Sequence, residues 1–210
     1  MEPGSRVAGV GGVAFGVLPV VAFALAEPLG GTYKASDVTG WIASGHRVAV
    51  LVSLYLVFVA IAGLVCLLTR LRALLEGSGR ESSIFWAFGI GAATACFVGY
   101  ALVCGLPLAR WYGGDAITVA PATAYTLAEL GWIVWYGAGA LLLGAALVAF
   151  ASAPVAAPAW VRWATLAAGI ASLAGPAWFP FFLVFLWSLV LGVWLLVADP
   201  QPARVAHARA

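Results

Sequence analysis

Charge is scarce in this sequence. Only 9% of its 210 residues are Asp, Glu, Lys or Arg, where a water-soluble domain carries about 25%. That deficit excludes an ordinary soluble domain. The 64% hydrophobic content excludes intrinsic disorder, which needs low hydrophobicity and high charge. A formal net charge of +2 leaves no basic footprint for nucleic acid. Lysine occurs once, as Lys34, against nine arginines. The three cysteines, Cys66, Cys96 and Cys104, all fall in apolar runs, and none belongs to a Cys-x-x-Cys pair. Neither a redox centre nor a thiolate metal site is signalled, and the three read as small buried apolar side chains. His46 is the one histidine outside the tail. A lone imidazole cannot build a zinc or haem site, so no metal and no cofactor is called for. A Gly-x-x-x-x-Gly-Lys-[Ser/Thr] phosphate loop, a His-Glu-x-x-His signature and a Gly-x-Ser-x-Gly turn are also missing. The expectation is a protein that is not a self-contained enzyme.

What the chain does contain is apolar length. Its mean hydropathy is +1.07. A membrane-crossing helix takes about 20 mostly apolar residues, and six stretches approach or meet that length: 7–26, 46–68, 84–106, 123–150, 160–174 and 178–197. The last two are read as separate because a single helix from Trp160 to Val197 would be about 57 Å long, nearly twice the hydrocarbon thickness. Gly175-Pro176-Ala177-Trp178-Phe179-Pro180 supplies the turn between them. The expected fold is therefore all-α: one polytopic membrane helix bundle over 1–210, in the plasma membrane, with a flexible tail at 199–210. With six spans, Arg6, Arg70, Arg72, Arg80, Arg162, Arg204 and Arg209 share one side, and Lys34, Arg47 and Arg110 the other. The positive-inside rule then places both termini in the cytoplasm. Ala24-Leu25-Ala26 has the form of a signal-peptidase site, but the run before it is long for a signal peptide, and an uncleaved anchor is expected. The linker from Arg70 to Ser83 reads as a helical extension ended at Gly77-Ser78-Gly79, its arginines meeting anionic headgroups.

Glu129 is the residue that hydrophobic patterning does not explain. It falls about 9 Å inside the fourth stretch, where a carboxylate is costly and normally faces a partner or a cavity. Helical spacing places Tyr125, Trp132, Ile133 and Tyr136 on its face. The functional reading is an outer-side pocket formed by Glu129, Tyr125, Trp132 and Tyr136, with His46, Arg47 and Arg110 around its mouth. Such a pocket would suit a hydrophobic or amphipathic ligand, cationic ones included, for binding or transport. The plainer reading is a helix-to-helix ion pair, for instance between Glu129 and Arg47, or an acid that snorkels to the nearby surface. The rival function is a membrane isomerase or cyclase for a lipid or terpenoid, with Glu129 as acid and the aromatic stripe stabilising a carbocation. Ser36 or Asp37 could cap a short interfacial helix leading to His46. Tyr55, Trp135 and Trp187 lie too deep for an interfacial belt. Besides the bilayer and such a ligand no partner is indicated, and oligomeric state is open.

Several segments together carry a resemblance. Ala35-Ser36-Asp37 leads to His46-Arg47, and an apolar span ends in Leu67-Leu68-Thr69-Arg70-Leu71-Arg72. Pro158-Ala159-Trp160-Val161-Arg162-Trp163 and Phe179-Pro180-Phe181-Phe182-Leu183 precede the last two stretches. The layout resembles a broad group of actinobacterial multi-pass membrane proteins whose activity is uncharacterised, over most of the chain from Val7 to Val197. The resemblance implies a six-helix membrane fold and carries over no ligand or catalytic residue.

Overall fold

The computed structural model describes residues 3–29, 31–43, 47–75, 79–114, 118–154, 157–177 and 179–198. His46, the Gly77-Ser78 break, Asp115, Trp178 and the tail from Asp199 lie outside the described residues. Among the described residues all regular secondary structure is helical: α1 (Pro3–Ala26), α2 (Ala35–Ala43), α3 (Arg47–Leu74), α4 (Arg80–Gly113), α5 (Pro121–Trp132), α6 (Ala140–Ser152), α7 (Ala159–Leu173) and α8 (Phe182–Ala198). A π-helical segment, Ile133–Gly139, makes α5 and α6 one continuous rod. Two short 3₁₀ turns, Gly175–Ala177 and Phe179–Phe181, join α7 to α8.

Four of these helices are long and apolar enough to cross a membrane: Gly4–Ala26, Arg47–Leu74, Arg80–Ala109 and Pro121–Ser152. Helices α7 and α8 have 15 and 17 residues. Helix α3 runs past its apolar stretch through Thr69-Arg70-Leu71-Arg72 to Leu74, with Arg70 and Leu71 buried in the bundle. The sixth element begins four residues later than hydropathy suggests. Pro176 and Pro180 hold that entry in 3₁₀ turns rather than α-helix. The short helix α2 begins at Ala35, so Ser36 and Asp37 sit inside its first turn instead of capping it. Asp37 there still faces the positive end of the helix dipole.

The six long and medium helices close into an antiparallel ring in the order α1, α3, α4, α5–α6, α7, α8 and back to α1. Close glycine approaches set the spacing in two seams. A Cβ built on Gly11 of α1 would stand 2.5 Å from the Gly63 carbonyl oxygen of α3, and one on Gly99 of α4 would stand 2.6 Å from that of Gly131. Backbone-to-backbone contact of this kind substitutes for hydrophobic driving force between helices in lipid. Buried hydroxyls add links between helices. Ser5 donates to the Leu195 carbonyl at 3.2 Å, Ser172 to that of Ala140 at 2.7 Å, and the Trp187 indole N–H to Thr165 Oγ1 at 3.0 Å.

Aromatic rings fill the middle of the ring. Phe23 meets Tyr100, Trp132 and Trp135 at centroid distances of 5.5, 5.5 and 5.8 Å. The series continues from Trp132 through Tyr136 and Phe181 to Phe185 and Phe15. Outward, the helices present Tyr55, Phe58, Ile133 and Leu186, each more than half exposed. A water-soluble monomer rarely shows so continuous an apolar surface, whereas a lipid-facing one requires it. Tyr55 accordingly belongs to the lipid face, while Trp135 and Trp187 belong to the packing.

Candidate functional site

The candidate site lies where the α1–α3 connection folds over the start of α5. Pro121 opens α5 at a position where its missing N–H costs nothing. Glu129 sits in the third helical turn, about 12 Å along the axis from Pro121, and its side chain is partly buried. One turn earlier is Tyr125, whose hydroxyl interacts with the Glu129 carboxylate. The same hydroxyl donates to the Gly31 carbonyl, and the ring packs edge-to-face on Tyr33 at 5.3 Å. The acid thus has a neutral hydroxyl one helical turn away.

Trp132 and Tyr136 are buried, with rings stacked at 5.4 Å and 24°. The Trp132 indole N–H donates to the Leu29 carbonyl at 2.8 Å. The Trp41 N–H from α2 donates to the Ala26 carbonyl at 3.2 Å. Three aromatic donors therefore hold three carbonyls of the 26–31 segment. A small second core (Leu29, Val38 and Ile42 against Ala124 and Ala128) seats α2 on α5. The result is a lid over the end of the bundle where α1 stops and α3 starts. Glu27 begins the lid with φ of 40°, a left-handed conformation that ends α1.

Of the residues singled out from the sequence, the structure brings Glu129, Tyr125, Trp132 and Tyr136 onto one flank of the α5 rod. Arg47 opens α3 and Arg110 lies in the last turn of α4, both at the same end of the bundle. His46 lies outside the described residues. Sequence reasoning missed the lid carbonyls, since a backbone acceptor has no residue-type signature. It also missed Phe23 and Tyr100. The Tyr100 hydroxyl donates to the Ala22 carbonyl at 3.4 Å and lies against Ser53 and Cys104, tying α1, α3 and α4 together. Directly below, Trp135 is fully buried, and its N–H has no hydrogen-bond partner among the described residues. It sits in the π-helical segment, whose far end is met by Ser172 and by Gly175 pressed on Ala140. Neither a family model, nor a curated protein, nor a solved structure matches this chain.

Proposed function

We propose that this chain is a six-span plasma-membrane protein with both termini cytoplasmic, akin to the actinobacterial membrane proteins it resembles. In this reading it binds a hydrophobic or amphipathic cation beneath the lid, with Glu129 as the counter-charge. The observation that carries the reading is the environment of Glu129. A carboxylate in the apolar layer normally has a cation or water against it, and here its described neighbour is the Tyr125 hydroxyl. One hydroxyl proton cannot fully serve both the Gly31 carbonyl and the carboxylate. A cationic ligand would supply a counter-charge, and the Tyr125 and Tyr33 rings of the lid would receive its apolar body. The activity is binding or transport rather than catalysis.

The six-span topology draws support from the antiparallel ring. With α7 and α8 as shorter crossings of about 22 and 26 Å, Arg6, Arg70, Arg72, Arg80 and Arg162 gather at one end of the bundle and Lys34, Arg47 and Arg110 at the other. The isomerase or cyclase reading is favoured by one feature, the nearness of an acid to an aromatic series. Against it, the faces of Trp132 and Tyr136 are occupied by each other and by Phe23 and Phe181.

The test is thermal unfolding of the purified protein in a neutral detergent with tetraphenylphosphonium as the probe. The wild type gains several degrees at saturating probe, and Glu129→Gln gains none. An equal gain in Glu129→Gln, or no gain in the wild type, overturns the proposal.

A further inference from the structure

At the opposite end of the bundle, the α3–α4 hairpin encloses a pocket of about 490 Å³, lined by Thr69, Arg72, Leu75, Gly79, Ser82 and Ser83 among others. Its central group is Arg72, in the last turn of α3. The guanidinium lies over the Trp86 ring at 5.0 Å from the centroid, and its Nε–H donates to Ser82 Oγ at 3.4 Å. Two interactions thus fix the plane of the guanidinium without using its terminal amino groups. Ser82 Oγ acts as acceptor in that bond, which leaves its own O–H available to donate. The other two hydroxyls are turned to backbone carbonyls: Thr69 to Val65 at 2.7 Å and Ser83 to Gly79 at 3.3 Å. The pocket therefore presents a planar cation and one adjacent hydroxyl donor, with no carboxylate among the described residues that line it.

We infer that this pocket binds a phosphate oxyanion, supplied by the headgroup of an anionic phospholipid. The donor set selects the chemistry: a guanidinium fork matches the two non-bridging oxygens of a phosphodiester, and a neighbouring hydroxyl donor shares one of them. Position selects the source. Arg72 and Trp86 lie where α3 and α4 leave the apolar layer, and an indole under a guanidinium is an arrangement suited to the headgroup level. The exposed side chain of Arg80 at the start of α4 adds positive charge at the rim. A bare arginine near a membrane attracts anionic lipid without preference for its shape. A guanidinium held by Trp86 and Ser82 beside a pocket binds one lipid in one pose.

The experiment is native mass spectrometry of the full chain in neutral detergent, titrated with phosphatidylglycerol or with phosphatidylcholine. The wild type retains phosphatidylglycerol in a one-to-one adduct and prefers it over phosphatidylcholine. Arg72→Gln weakens the adduct about five- to tenfold, as loss of a charge-assisted pair should. Arg72→Lys keeps the charge but not the fork, and recovers less than half of that loss on a logarithmic scale. Ser82→Ala weakens binding about two- to threefold. Arg80→Gln, which removes the same charge outside the pocket, changes it less than twofold. Equal losses in Arg72→Gln and Arg80→Gln would mean diffuse attraction and overturn the site, as would an unchanged adduct in both Arg72→Gln and Ser82→Ala. A second arm adds glycerol 3-phosphate to the delipidated protein and follows thermal unfolding. Protection equal to that given by phosphatidylglycerol, lost in Arg72→Gln, would overturn the lipid as the source. Circular dichroism of each variant verifies folding, and Arg72→Lys with Ser82→Ala carries the test if Arg72→Gln does not fold.

Discussion

The two ends of this bundle are closed by different chemistry. At the lid end, aromatic N–H and O–H groups hold the backbone: Trp41 on Ala26, Trp132 on Leu29 and Tyr125 on Gly31. At the other end, guanidinium groups do the comparable work: Arg72 over Trp86, and Arg162 donating to the Ala151 carbonyl at 3.1 Å. An aromatic donor is fixed by its own packing, so its hydrogen bond costs little side-chain entropy. An arginine held by one bond at the end of a long flexible stem, as Arg162 is, gains less from it. The stability of the fold should therefore be sensitive to single substitutions at the lid end and more tolerant of them at the α3–α4 end.

The largest expected effect is at Trp132. Trp132→Ala removes a buried ring in contact with Phe23, Tyr100 and Tyr136 as well as the Leu29 bond. It should cost about 3–5 kcal/mol, read as a large fall in the thermal midpoint in detergent. A fall no greater than that of Arg162→Gln would erase the proposed difference between the ends. Next comes Tyr125→Phe, which deletes one hydroxyl and leaves the Gly31 carbonyl without that donor, at about 1–2 kcal/mol. Lys34, the one lysine, lies in the lid, so this variant should also be cleaved faster by trypsin after Lys34. An unchanged cleavage rate would show that the lid does not depend on this bond.

The long helices were legible because each apolar run is longer than anything a soluble core needs: the stretch 7–26 ends with α1 at Ala26 and starts four residues inside it, and 123–150 falls inside the α5–α6 rod by two residues at each end. The turn before α8 was legible in Pro176 and Pro180. The π-helical segment was not, because a change from i→i+4 to i→i+5 bonding leaves no mark on hydropathy. The antiparallel ring was equally hidden, since neighbours such as Gly11 and Gly63 are fixed by close approach and not by pattern. At the candidate site, Glu129 and its helical neighbours followed from spacing alone. The carbonyls under the three aromatic donors depend on how the lid folds back, and no local signal encodes that.

A smaller effect is expected at the end opposite the lid. Arg162→Gln keeps a donor near Ala151 and should cost less than about 1 kcal/mol, checked by the same unfolding curves. A loss matching that of Tyr125→Phe would make the two ends equivalent. The smallest effect has the opposite sign. Glu27 holds φ of 40° at the end of α1, so Glu27→Gly relieves left-handed strain and should raise stability by up to about 1 kcal/mol. A lower thermal midpoint would mean that the Glu27 side chain supports the lid in a way its backbone conformation does not suggest.

The whole comparison rests on the two ends facing opposite sides of a bilayer. Cysteine accessibility in intact cells tests this most directly, in a background with Cys66, Cys96 and Cys104 replaced by alanine. Lys34→Cys in the lid should react with a membrane-impermeant maleimide in intact cells. Arg80→Cys at the start of α4 should react only after the membrane is permeabilised. Labelling of both positions in intact cells, or of Arg80→Cys alone, would contradict the account.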